Sequence, residues 1–308
     1  MNRAHALAAA LVAGLALSAC SGADTTPQRT PGGDDGSSTS GVGDVVTVAS
    51  ANFPEAALIA EIYTAALEGE GITVEQRLNI GTREIYLAGL EDGSIDLVPE
   101  YTGALTLFLN PDTTATAPYE VYAELQAALP EHLTVLDQSE VEDKDSIVVT
   151  KATATEYGLA AIGDLAPVAG DMVLGGPREF ETRSYGVAGL REVYGLEFSA
   201  YRPLAPGSPL LMQALANGQV DAANIYSTDP SIMANDFVVL ADPERLFVAQ
   251  NIVPLVTKEA NSELVSATLN TVSASLETDE LIAMLEQVQV DGDDPADVAQ
   301  IFVDANLG

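Results

Sequence analysis

The sequence predicts an α/β protein of two lobes, each on a largely parallel sheet, joined by two crossing strands. Three observations carry that expectation. Leu90-Glu-Asp-Gly-Ser-Ile-Asp-Leu-Val-Pro-Glu-Tyr101-Thr102 matches Leu215-Ala-Asn-Gly-Gln-Val-Asp-Ala-Ala-Asn-Ile-Tyr226-Ser227 without a gap, 125 residues further on. Runs suited to strands alternate with runs suited to helices, the mark of βαβ units. Ser146-Ile-Val-Val149 and Asn251-Ile-Val-Pro-Leu-Val256 each carry the chain from one set of units to the other.

Element by element, Val45-Val-Thr-Val48 reads as the opening strand. Pro54 to Gly69 is a helix, with Pro in its first turn, apolar Ala57, Leu58, Ile62, Ala65 and Leu67, and Gly at its stop. A strand at Ile72–Leu78 and a helix at Arg83–Leu90 lead into the first copy of the repeat, and Tyr119–Leu129 is amphipathic. After the crossing at Ser146, strands at Met172–Leu174 and Phe237–Leu240 bracket helices at Val187–Tyr194 and Pro209–Asn217 and the second copy. Three helices, near 260–276, 279–287 and 294–305, complete the first lobe. The expected boundaries are 45–145 plus 251–308 for one lobe and 146–250 for the other.

Each copy of the repeat reads as a helix stopped at Asp/Asn-Gly, a short buried strand, then Tyr and a small hydroxyl residue. Glycine takes the left-handed turn after a helix at little steric cost. The pattern puts Tyr101 and Tyr226 just past strand ends, where open α/β sheets bind ligands. An αβ unit repeated for packing alone would show the same pattern. With two crossings acting as a hinge, the lobes are expected to close on a ligand.

The N-terminus reads as a sorting signal over 1–19. Arg3 precedes an apolar run from Ala6 to Leu17, too short to span a bilayer. The run ends Leu17-Ser-Ala-Cys20, which resembles the lipobox of bacterial lipoproteins and implies that Cys20 is acylated and becomes the mature N-terminus. Cys20 is the only cysteine, so no disulfide forms within the chain. Residues 20–44, rich in Ser, Gly, Thr, Asp and Pro, have a tether's composition.

The chain carries 12 basic and 46 acidic residues, net −34. Such a charge repels nucleic acid and anionic headgroups, and keeps a protein soluble in salt. The catalytic inventory is thin. Of two histidines, His5 leaves with the signal and His132 sits in a polar turn. No His/Cys metal cluster can be built, and no cofactor is indicated. No carboxylate pair is singled out by its spacing, so a carboxylate-dependent envelope hydrolase is the remote alternative. Arg83, at a helix start, and Arg183, in a polar loop, are each equally suited to a neighbouring Glu or to a ligand carboxylate.

Ser50-Ala-Asn52-Phe53-Pro-Glu55, Asp96-Leu-Val-Pro-Glu-Tyr101-Thr102-Gly103, Phe180-Glu-Thr-Arg183, Val193-Tyr-Gly-Leu-Glu-Phe198 and Tyr226-Ser-Thr228-Asp229 resemble the quaternary-amine substrate-binding proteins of osmoprotectant ABC transporters. The resemblance runs from about Val45 to the C-terminus. It implies a two-lobe periplasmic-binding-protein fold of type II character. It also implies a monomeric receptor, lipid-anchored outside the cytoplasmic membrane, that delivers solute to a permease with its ATPase. It carries ligand cage positions to Tyr101 and Tyr226 and a carboxylate-binding arginine to Arg183, with Asn52, Thr102 and Thr228 in the same motifs.

Such a cage makes physical sense. A trimethylammonium group has no N–H to donate, and aromatic faces hold it at roughly 0.5–2 kcal/mol per ring. With no Trp in the chain, Tyr and Phe must build the cage. The sequence also departs from the family. Ala51 stands where many members have Lys, Ala104 where many have Thr, and Ser146 and Gln250 where two further cage tyrosines are expected. Tyr185 is a replacement aromatic beside Arg183. The second reading within the class is a receptor for a different polar solute, hydrogen-bonded by Arg83, Ser146 and Gln250.

Overall fold

The computed structural model describes residues 45–308, which form two five-stranded sheets flanked by helices. The first sheet starts with β1 (Val46–Ala51), α1 (Pro54–Gly69), β2 (Val74–Gly81), α2 (Arg83–Asp92) and β3 (Leu97–Tyr101). Then come α3 (Thr102–Leu109), α4 (Pro118–Ala128) and β4 (Leu133–Val135). The chain crosses along β5 (Asp145–Val149) into α5 (Lys151–Tyr157), β6 (Val173–Gly176), α6 (Val187–Tyr194) and β7 (Ala200–Pro203). It continues through α7 (Pro209–Ala216), β8 (Ala222–Tyr226), α8 (Ser231–Ala234) and β9 (Val238–Val239). It returns along β10 (Ile252–Thr257) and ends in α9 (Glu263–Ser275), α10 (Thr278–Glu286) and α11 (Pro295–Asn306).

The sheets have matching orders, β2-β1-β3-β10-β4 and β7-β6-β8-β5-β9. In each, the central strand has a parallel neighbour on one side and an antiparallel one on the other. That antiparallel neighbour is the strand arriving from the other lobe. The sequence repeat therefore marks equivalent strands, β3 and β8. Gly93 (φ 74°) and Gly218 (φ 65°) take the left-handed turns that release α2 and α7 into them. Tyr101 and Tyr226 are the last residues of their strands rather than the residues just beyond.

α1 shows why local sequence and packing agree here. Phe53 is extended ahead of Pro54, whose fixed φ suits the first turn. Leu58, Ile59, Ile62, Tyr63 and Leu67 are fully buried against β1, α9 and α11. Burying each aliphatic side chain contributes roughly 1.5–3 kcal/mol. A second core gathers Ile147, Leu174, Phe180 and Leu190 beneath the other sheet, and Tyr185 packs against both.

Five elements were not expected, among them α8, which has only four residues. α3 is a short apolar run without a helical stripe, β4 has three residues, and α5 and β7 lack any distinct period. The leader, Cys20 and the tether lie outside the described residues.

Candidate ligand-binding cleft

Five segments converge on one cavity of about 80 Å³ between the lobes. From the first sheet come the β1–α1 turn, the start of α2 and the end of β3; from the second, the end of β8 and the loop before α6; the two crossing segments close it. Phe53 is fixed by the α1 entry. Its ring centroid lies 5.9 Å from that of Tyr101 and 5.2 Å from that of Tyr226, so one phenylalanine bridges the repeat-related tyrosines. Tyr185 supplies a fourth aromatic wall. Burial pushes its phenol up to about 12.

Two hydrogen-bond systems brace the cavity. In the first, Glu100 is wholly buried and accepts four bonds. Arg83 forks onto it through Nε (2.7 Å) and Nη2 (2.9 Å), Tyr86 donates its hydroxyl (2.6 Å), and the Tyr101 amide donates at 2.8 Å. The second spans the lobes. Tyr101 donates to Glu55 Oε1 (2.7 Å), while Thr228 Oγ1 contacts both Glu55 Oε2 and Asp143 Oδ1, the latter at 2.9 Å. Burial, above all, holds both carboxyls above their ordinary range.

The loop before α6 forms a further bridge. Arg183 donates to Glu84 across the cleft at 2.8 Å, with its guanidinium 5.4 Å from the Phe108 ring centroid. Partial burial raises the Glu84 carboxyl, but hydrogen bonds from Thr82, its own amide and Arg183 prevail and hold it at about 2. Gly186 turns this loop: a Cβ there would lie 1.7 Å from the Phe180 carbonyl oxygen. The crossing segments are tied to each other by Asp143 N–H to Gln250 O (3.0 Å). Arg83 and Arg183 thus already pair with carboxylates, and Asp143, Asp145 and Glu179 add acidity to the walls.

The chain matches a known group of proteins in sequence and fold. Residues 44–305 fit the family model described as the substrate-binding domain of an ABC-type glycine betaine transport system. The chain belongs to this family. A carnitine transport binding protein of Listeria monocytogenes is 25% identical over 271 residues, 85% of this chain and 87% of that one. A glycine betaine-binding protein of Escherichia coli K12 is 25% identical over 272 residues, 84% and 89% of the two chains. A crystal structure of a glycine betaine/carnitine/choline ABC transporter superposes with a TM-score of 0.68 at 25% identity, covering 84% of this chain and 98% of its own. A choline-binding protein solved with choline shares the fold (TM-score 0.63, 12% identity, 85% and 89% covered). The chain is thus the two-lobed solute-binding component of an ABC importer, not an enzyme.

Within this binding protein, Asn52, Arg83, Tyr101, Arg183, Tyr185, Tyr226 and Gln250 all line the cavity. Ala51 and Ala104 do too, and each presents only a methyl group to its wall. The Gln250 side-chain oxygen accepts from the Ala104 amide (2.8 Å).

Three residues singled out from the sequence lie outside that lining. Ser146 donates to the Ile225 carbonyl across the sheet (2.5 Å), and Asp145, one residue earlier, lines the cavity instead. Thr102 accepts from the Asn251 amide (3.1 Å), securing α3 to β10, and Thr228 braces the lobes behind the wall. His132 approaches Glu91 at 3.2 Å and is not among the lining residues. Sequence reasoning missed Phe53, Glu55, Asp143, Asp145 and Glu179. Only Phe53 and Glu55, inside a quoted motif and on either side of the helix-starting proline, left a usable signal.

Proposed function

We propose that the solute is a quaternary-ammonium osmoprotectant held by Phe53, Tyr101, Tyr185 and Tyr226. The observation that carries this reading is the bridging of two strand-end tyrosines by Phe53 over one cavity. Aromatic faces attract a cation that cannot donate hydrogen bonds. The relatives named above, described as binding carnitine and glycine betaine, support the same solute class. The two crossing segments serve as the hinge between lobes 45–145 plus 251–308 and 146–250. The receptor acts as a monomer, held outside the cytoplasmic membrane by an acylated Cys20, which Cys20→Ala with cell fractionation tests. Calorimetric titration with choline and glycine betaine tests the pocket. Tyr226→Ala is expected to weaken binding by on the order of 1–3 kcal/mol through lost cation–π and area contributions. Unchanged affinity would remove Tyr226 from the site.

A further inference from the structure

The charges around the cavity do not balance, and the imbalance has an address. Asp145 opens β5, lines the cavity and is only 9% exposed. Its Oδ1 accepts from Asn224 Nδ2 at 3.0 Å. Its Oδ2 accepts no hydrogen bond among the described residues. Among the described residues no lysine or arginine forms an ion pair with it; Arg83 is forked onto Glu100 and Arg183 is bonded to Glu84, so both act on Asp145 only from further away. A carboxylate withdrawn from water without a counter-charge in contact is costly. Burial pushes this carboxyl up to about 6, outweighing the Asn224 hydrogen bond and the more distant charges of Arg83 and Arg183.

Position gives the imbalance a meaning. Asp145 is the direct cross-strand partner of Tyr226 in the antiparallel β5–β8 pair. Directly opposed residues project to the same face with Cβ atoms about 4.5–5.5 Å apart. A cation resting on the Tyr226 ring therefore lies beside the Asp145 carboxylate, and a donor carried two or three bonds from that cation reaches the open oxygen. Asn224 is a positioning residue: its amide also donates to the Ser146 carbonyl (3.3 Å), which fixes the side chain that holds Asp145.

We propose that Asp145 is the ligand's counter-ion and hydrogen-bond acceptor, and that it selects a monocation bearing an O–H or N–H donor over a zwitterion bearing a carboxylate. In the quaternary-ammonium class, on which this inference rests, it favours amino alcohols of the choline type over betaines. A betaine carboxylate would meet Asp145, Asp143 and Glu179 with both cavity arginines already engaged.

The test is calorimetric titration of the wild type and Asp145→Asn with choline, glycine betaine and tetramethylammonium. Asparagine keeps the shape and loses the charge, and ligand-free melting curves establish that the variant folds. Wild type should bind choline at least ten-fold more tightly than glycine betaine. Asp145→Asn should lose at least ten-fold for choline, less for tetramethylammonium, and should narrow the gap to glycine betaine. Glycine betaine bound as tightly as choline, or choline affinity indifferent to Asp145→Asn, overturns the proposal and leaves the cage reading intact. If none of the three ligands binds the wild type, both fail together. Should Asp145→Asn not fold, Asn224→Ala replaces it, and unchanged choline selectivity in that variant counts against the proposal.

Discussion

Thr228 has one hydroxyl hydrogen and two carboxylates to satisfy. It meets Glu55 and Asp143 together, so one of those contacts must take its hydrogen from a carboxylic acid. The closed arrangement therefore holds a proton that water would remove from either group alone. Both carboxyls are raised, so the stability they confer is full below the ordinary carboxylate range of about 4 and is lost as pH rises through their native values. Asp145, pushed up to about 6, acts in the same direction. The melting temperature of the wild type should fall with rising pH more steeply than that of Glu55→Gln, whose amide carries its own hydrogens. Parallel curves would mean that no proton is shared.

The two cavity arginines separate at the same scale. Arg83→Ala leaves Glu100 buried with a charge unpaired, which costs about 3–5 kcal/mol. Arg183→Ala removes a bond to a half-exposed Glu84 and should cost no more than about 1 kcal/mol. Urea unfolding of both variants measures the difference, and equal losses would contradict these roles. Tyr101, Tyr226 and the Arg183–Tyr185 loop were legible because aromatic and basic residues are sparse in this chain and stand at strand ends or in a marked motif. The carboxylates were not, because burial leaves no trace on any one of 46 acidic residues. Ser146 and Asp145 differ by one position on a pleated strand, and one position exchanges the two faces.

At the scale of elements, the repeat foretold equivalent strands because a helix-stopping glycine and a buried strand each have a direct backbone cause. The short pieces escaped for the converse reason. Three residues of β4 carry no period, and pairing with β10 alone makes them a strand. The loop before α6 depends on one glycine. Gly186→Ala drives a methyl into the Phe180 carbonyl and must displace the segment bearing Arg183 and Tyr185. A loss of roughly 1–3 kcal/mol in stability is expected, as for overpacking elsewhere, with weakened ligand binding. Melting and titration of this variant check it, and wild-type values for both would show the loop to be pliant.

For the whole molecule, the lobes are joined by more than the two crossing segments. Thr228–Glu55, Arg183–Glu84 and Tyr226–Phe53 all cross the cleft, so opening breaks polar and aromatic contacts that a bound solute helps to keep. On the proposed reading, solute and closure are coupled through the same residues. The central claim is that the cleft recognises positive charge on an otherwise apolar group. Titrating the protein with choline and with its neutral carbon isostere, 3,3-dimethylbutan-1-ol, tests this most directly, because the two match in shape and hydroxyl and differ in charge. The structure predicts that choline binds at least ten-fold more tightly; equal affinities would contradict an aromatic, acidic cage for a cation.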